Sequence, residues 1–195
     1  MKMNAEKQKH SPFIMVQLPE HISEKKKEQG YETVCEIGKE RIRRAGKKIK
    51  EESPLTTQDL DTGFRVLKLD STNMQDIYYS PKDISQADLF SQVDNVKPDR
   101  TGEDLLFQVL LDWGVDLTLP IRKETIMGKT VFFVDENALV ACFDTGLTED
   151  LVKVLTRAKP LRVVFRDNGF SSDAVKINAT QIFRQMSPGT EVKAI

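Results

Sequence analysis

Cysteine and histidine are scarce in this 195-residue sequence, with two of each, and neither is spaced for chemistry. Cys35 and Cys142 lie far apart without a CxxC pair, and His10 and His21 sit in polar stretches away from any zinc-type spacing. The two cysteines could close one disulfide, but with no secretory segment two reduced thiols are expected. The N-terminal MKMNAEKQKHSP has no apolar core and is not a signal peptide. The longest strictly apolar run, Ala138 to Phe143, is far short of the roughly 18 residues of a membrane span. No serine lies in a GxSxG elbow, and no histidine follows one where a triad would need it. A formal net charge of −1 gives the whole chain no pull on a polyanion. These absences point to a soluble, cytoplasmic chain without a membrane partner.

What is present suffices for a core, with 39% hydrophobic and 30% charged residues. Residues 1–52 carry 13 Lys/Arg against 9 Asp/Glu, so the first quarter is modestly basic and the remainder acidic. Phe13-Ile14-Met15-Val16 reads as a strand buried on both faces, as in a parallel sheet. From Thr33 a helical pattern begins, with Val34, Ile37, Ile42, Ala45 and Ile49 on one stripe, and Ser53-Pro54 ends it. Phe64 to Leu69 reads as a second strand. Residues 70–100 are polar and irregular, with an X-Pro turn at Tyr79-Ser80-Pro81 and a boundary expected near Lys97-Pro98. The expected units are therefore 1–97 and 98–195.

The second half is more regular. Thr101 starts a helix with acids in its first turn, and Gly114 ends it as a C′ glycine. Strands are expected at Val115–Leu119, either side of a Met127-Gly128-Lys129 turn, at Ala138–Phe143, at Leu161–Phe165 and at Glu191–Ile195. Helices are expected after Thr148 and from Asp173 to about Met186. This order describes an α/β layered module.

Few motifs carry chemistry. Gly128-Lys129-Thr130 resembles the end of a phosphate loop, but Lys123 stands where the loop needs glycine, and a strand rather than a helix follows. A hairpin turn is the better reading. Asp144 and Asp167 follow buried strands, where open α/β sheets bind ligands, although such aspartates usually serve turns. The polar face of the helix at 39–50 carries seven cations and one acid, Glu40. Arg41, Arg43, Arg44, Lys47 and Lys48 are its candidate nucleic-acid contacts, through phosphate neutralisation.

Several long stretches resemble the DNA-methylating subunit of type III restriction–modification systems. They are FIMVQLPE (13–20), CEIGKERIRRAGKKIKEE (35–52), GFRVLKLDSTN (63–73) and EDLLFQVLLDWGVDLTLPI (103–121). GKTVFFVDENALVACFD (128–144), KPLRVVFRDNGF (159–170) and KINATQIFRQMSPGTEVKAI (176–195) complete the set. The resemblance implies an α/β fold in which a remnant of a methyltransferase-type, Rossmann-like sheet precedes a C-terminal α/β module. It implies the C-terminal part of an S-adenosylmethionine-dependent adenine-N6 DNA methyltransferase.

That family's catalytic (D/N)PP(Y/F) loop and glycine-rich FxGxG cofactor loop are both absent here. Tyr79-Ser80-Pro81 has one proline, and Trp113-Gly114-Val115-Asp116 lacks the second glycine. Both motifs lie upstream of the FIMVQLPE segment in the family, so the chain is expected to be inactive alone. By resemblance, Glu20 matches the acid that bonds the ribose hydroxyls of S-adenosylmethionine. The partners implied are DNA, the type III restriction subunit and a second copy of the chain. A non-catalytic assembly module and a remnant of a broken gene are the competing expectations.

Overall fold

The structure, a computed structural model, describes residues 1–7, 11–27, 30–75 and 95–195. It divides into two compact units, Met1–Leu69 and Asp70–Ile195. The division precedes the stretch near Lys97-Pro98 where the sequence suggested it. Residues 70–75 belong with the second unit because Met74 bridges Val96, Lys97 N–H donates to Asn73 O (2.9 Å) and Arg100 pairs with Asp70 (3.4 Å). The Tyr79-Ser80-Pro81 turn lies outside the described residues.

The first unit holds helices α1 (Lys2–Lys7), α2 (Glu24–Lys27) and α3 (Val34–Glu52). α3 starts where the sequence placed it. The Glu36 carboxylate accepts from Glu32 N–H (2.6 Å) and Thr33 N–H (3.4 Å), supplying the acid half of a capping box. Beyond the helix the chain turns back, with Asp61 accepting from Gly63 N–H (2.8 Å). It passes so close to α3 that a Cβ on Gly46 would sit 3.0 Å from Thr62 Cβ, so glycine permits the approach.

Two expected strands in this unit are corrected. Phe13–Val16 and Phe64–Leu69 form no ladder, and Ile14, Val16 and Leu69 are 75%, 90% and 103% exposed. Their apolar composition has nothing to pair with among the described residues, and a strand needs a neighbour to satisfy its backbone groups. The stripe on α3 is likewise only half-buried, and Ala45 is exposed. Leu60 is the single buried hydrophobic side chain described in the unit.

The second unit is a three-layer α/β structure. Its helices are α4 (Gly102–Asp112), α5 (Glu149–Thr156) and α6 (Asp173–Met186). Its strands are β1 (Ile121–Ile126), β2 (Lys129–Val134), β3 (Leu139–Cys142), β4 (Arg162–Phe165) and β5 (Glu191–Ala194). They lie in the order β1-β2-β3-β4-β5; β1, β2 and β3 are antiparallel, while β3, β4 and β5 are parallel.

Side chains alternate between the two faces along the central strands, and both faces are buried. Val131, Phe133, Val140, Cys142, Val163 and Phe165 cluster with Leu151, Val152 and Leu155 of α5 and Ala179 and Phe183 of α6. Phe132, Val134, Leu139, Ala141, Phe143 and Val164 cluster with Leu105, Leu106, Val109 and Leu110 of α4. Both faces are covered, which is why these strands read as continuous apolar runs.

Val115–Leu119, expected as a strand, is a turn. Asp116 accepts from the Thr118 N–H and hydroxyl, both at 2.8 Å, and this local bonding displaces a ladder. Gly114 takes a left-handed φ of 63° at the end of α4, as expected of a C′ glycine. Met127 (φ 51°) and Gly128 (φ 76°) make the β1–β2 hairpin turn.

The start of α4 yields a test. Asp104 accepts from the Thr101 hydroxyl and N–H, both at 2.7 Å, and these bonds hold its carboxyl below the ordinary value. A depressed folded-state pKa stabilises above the unfolded value, and that stability is lost as pH falls through the folded pKa. Asp104→Asn is therefore expected to cost stability at pH 7, and the gap to the parent to narrow as pH falls below the ordinary aspartate value of about 3.9, measured by urea unfolding across that range. Thr101→Ala should cost about 1 kcal/mol in the same assay.

Candidate functional site

The residues with the best claim to function lie in the first unit, on and beside α3. Arg43, Lys47 and Lys50 follow one row of the helix at i, i+4 and i+7. With Glu51 and Thr62 they line a shallow depression of about 460 Å³. Arg41, Arg44 and Lys48 form a second row, roughly a third of a turn round the helix. The five candidate contacts are all exposed, yet they do not share one face.

Nearby acids compensate much of this charge. Glu40 pairs with Arg44 (2.7 Å) and approaches Arg43 (3.9 Å). Glu51 lies 3.8 Å from Lys47 and Glu52 3.6 Å from Lys48. Counting only residues 39–50 hid these last two acids. Such exposed i,i+4 pairs are worth only about 0.3–0.5 kcal/mol each and are easily exchanged for a phosphate. Glu40, as the largest contributor, raises the Arg44 pKa further. The Arg43 guanidinium sits 5.6 Å from the Phe64 ring centroid, so an aromatic ring lies beside one of the cations that line the depression. The charge pattern alone did not reveal Phe64.

Glu20 occupies the junction between the 13–18 segment and α3. Its carbonyl accepts from Val34 N–H (3.0 Å), and its own N–H donates to Leu18 O (2.9 Å). The Cys35 thiol is 3.5 Å from Leu18 O, a second tie between segment and helix. The Glu20 side chain is exposed. Glu20 therefore stands exposed at the end of the 13–18 segment, tied through its backbone to the start of α3.

The remaining candidates resolve as structural groups. Asp144 accepts from Thr130 N–H (2.6 Å) and Lys129 Nζ donates to Thr145 O (2.6 Å). The Gly128-Lys129-Thr130 run is thus the end of the hairpin turn and the start of β2, braced against the loop after β3. Asp167 pairs with Lys176 of α6 at 2.5 Å. His21 bridges Thr33 through the backbone, and His10 lies outside the described residues. No cluster of three or more metal-type side chains occurs among the described residues, and no helix there is long and apolar enough to cross a membrane.

No known protein family matches the chain, and no curated protein proved significantly similar to it.

Burial pushes the Cys142 thiol up to about 11, so it is neither a nucleophile nor a ready metal ligand. Cys35 is partly exposed, and both thiols are free. A thiol reagent at pH 8 is expected to modify only Cys35 in the folded chain and both cysteines in denaturant. Mass spectrometry finding rapid modification of Cys142 would contradict its burial.

Proposed function

We propose that this chain is the C-terminal part of a type III DNA methylation subunit, acting on adenine N6 with S-adenosylmethionine only when joined by a segment carrying the catalytic and glycine-rich loops. The observation that carries the reading is the state of Phe13–Leu18 and Phe64–Leu69. Both are apolar in composition, largely exposed and outside any ladder, and they precede and follow an amphipathic helix. A β-α-β unit has this order, and its strands require a sheet to complete them. The sequence resemblance supplies the chemistry: methyl transfer from the cofactor sulfonium to an exocyclic amine, with the target base flipped from the duplex.

In this reading the chain contributes three things. Glu20 accepts hydrogen bonds from the ribose hydroxyls. Arg43 and Lys47 meet DNA phosphates beside Phe64, with Arg41, Arg44 and Lys48 on the adjoining row. The closed core of Asp70–Ile195 serves as an assembly module for the restriction subunit.

A second reading rests on that same closed core. All but one of the buried hydrophobic side chains described belong to the second unit, so it has the makings of a self-sufficient docking domain. The two readings separate on reconstitution. A complex with the restriction subunit that forms without S-adenosylmethionine, and yields no methylation in any mixture, would favour the docking domain alone.

Isothermal titration should detect no S-adenosylmethionine binding by the chain alone, and micromolar affinity would overturn that expectation. Methyl transfer should appear on mixing with a segment bearing (D/N)PP(Y/F) and FxGxG, and Glu20→Ala should weaken cofactor affinity in that mixture.

Charge reversal at Arg43, Arg44 and Lys47 should weaken DNA binding by the reconstituted enzyme. It should also lower the slope of log affinity against log salt by about 0.9 for each phosphate no longer neutralised. An unchanged slope would rule out phosphate binding by these residues.

A further inference from the structure

Asn168 is the one asparagine in the chain followed by glycine. An asparagine side chain can be attacked by the backbone nitrogen of the next residue, and glycine there leaves the approach open because it has no Cβ. The folded loop after β4 works against that reaction. Asp167–Gly169 is a single 3₁₀ turn in which Gly169 N–H donates to Arg166 O (2.9 Å). The attacking nitrogen is thus engaged, and closing a ring onto the side chain needs the Asn168 ψ rotated away from a helical value. Gly169 O accepts from Leu147 N–H (2.9 Å) and Leu147 O from Ser171 N–H (3.0 Å), so that rotation requires the loop to open. Asn168 Oδ1 is buried and accepts no hydrogen bond. Attack would turn that oxygen into an oxyanion, and no donor stands ready to stabilise it.

Packing keeps the glycine in place. A Cβ on Gly169 would stand 2.9 Å from the backbone oxygen of Asp144 and 3.4 Å from Leu147 Cδ1. The loop after β3 therefore requires glycine at 169, and the labile pair comes with it. We propose that Asn168-Gly169 is a self-modification site, silent in the folded unit and active once this loop opens, so that a transient opening becomes permanent. In the step, Gly169 N gives its proton to solvent base and bonds to Asn168 Cγ. The Cγ–Nδ2 bond breaks, and the amide leaves as ammonia after taking a proton from water. One water then opens the five-membered ring at either carbonyl, leaving aspartate or its iso-linked form.

Neither product suits the folded loop. Aspartate sets a carboxylate where a carbonyl was buried without a donor, next to Asp167, and an unpaired buried charge opposes refolding. The iso-link adds one carbon to the main chain between residues 168 and 169. That shift separates Gly169 O from Leu147 N–H and disturbs the bridge between Leu147 and Phe170. Phe170 packs on Phe165, with ring centroids 5.2 Å apart, so the disturbance reaches the core beneath α5 and α6. The inference rests on the second unit alone and is independent of the methylation reading.

The test incubates the full chain at pH 8, folded in one sample and unfolded in urea in another. Mass spectrometry follows the amide-to-acid change in the tryptic fragment 167–176. The change should appear at least about tenfold faster in urea, as expected where the reaction waits on local opening. After the urea is removed, size-exclusion chromatography separates refolded from misfolded chains. The altered fragment should be confined to the misfolded fraction. Asn168→Ser, which has no amide to lose, should refold in full after the same incubation. The comparison of fragments uses the parent chain alone, so it stands whether or not the variant folds. Equal rates in folded and unfolded chains overturn the proposal, as does an altered fragment equally abundant in the refolded fraction.

Discussion

Val131–Val134, Leu139–Phe143 and Val163–Phe165 set an apolar side chain on each face of the sheet at nearly every step, so both faces must be covered together. α4 covers one face, and α5 with α6 the other. The chain order makes this feasible. Two parallel crossovers, β3-α5-β4 and β4-α6-β5, lay their helices on the same face. The β1-β2-β3 meander then leaves the opposite face for α4, which precedes all the strands. Remove either layer and large apolar residues such as Phe133 or Phe132 would meet water, at about 1.5–3 kcal/mol each.

The first unit lacks that two-sided closure. A single buried apolar side chain contributes a few kcal/mol, whereas ordering each residue costs about 1–2 kcal/mol of backbone entropy. Its local order comes from short-range devices: the Glu36 bonds at the start of α3, the pairs along the helix and the close passage at Gly46. These shape α3 and its flanks without building a core among the described residues. Exposed Ile14, Val16, Val66 and Leu69 are the consequence.

The candidate groups follow the same division. In the second unit polar side chains are engaged in bracing loops, as with Asp144 at β2 and Asp167 at α6. In the first unit cations line a shallow depression and an acid stands exposed at the head of a helix. Chemistry that requires exposed, exchangeable groups is better served there.

The sequence determined much of this by itself. Amphipathic periodicity marked α3, α4, α5 and α6 nearly to their ends, because capping residues such as Thr101 and Thr148 and stops such as Pro54 and Gly114 act locally. The apolar runs of β2, β3 and β4 were equally plain, since two-sided burial leaves no other composition. The basic helix could be read as well, though not its neutralisation by Glu51 and Glu52. Tertiary structure alone decided the rest. Phe13–Val16 and Phe64–Leu69 have strand composition, but a strand exists only with a partner, and none stands beside them among the described residues. Val115–Leu119 has the same apolar rhythm, yet the Asp116 side chain bonds its own backbone and turns the chain. Sheet order and the approach of Phe64 to Arg43 depend on residues distant in sequence meeting in space, which no local pattern encodes.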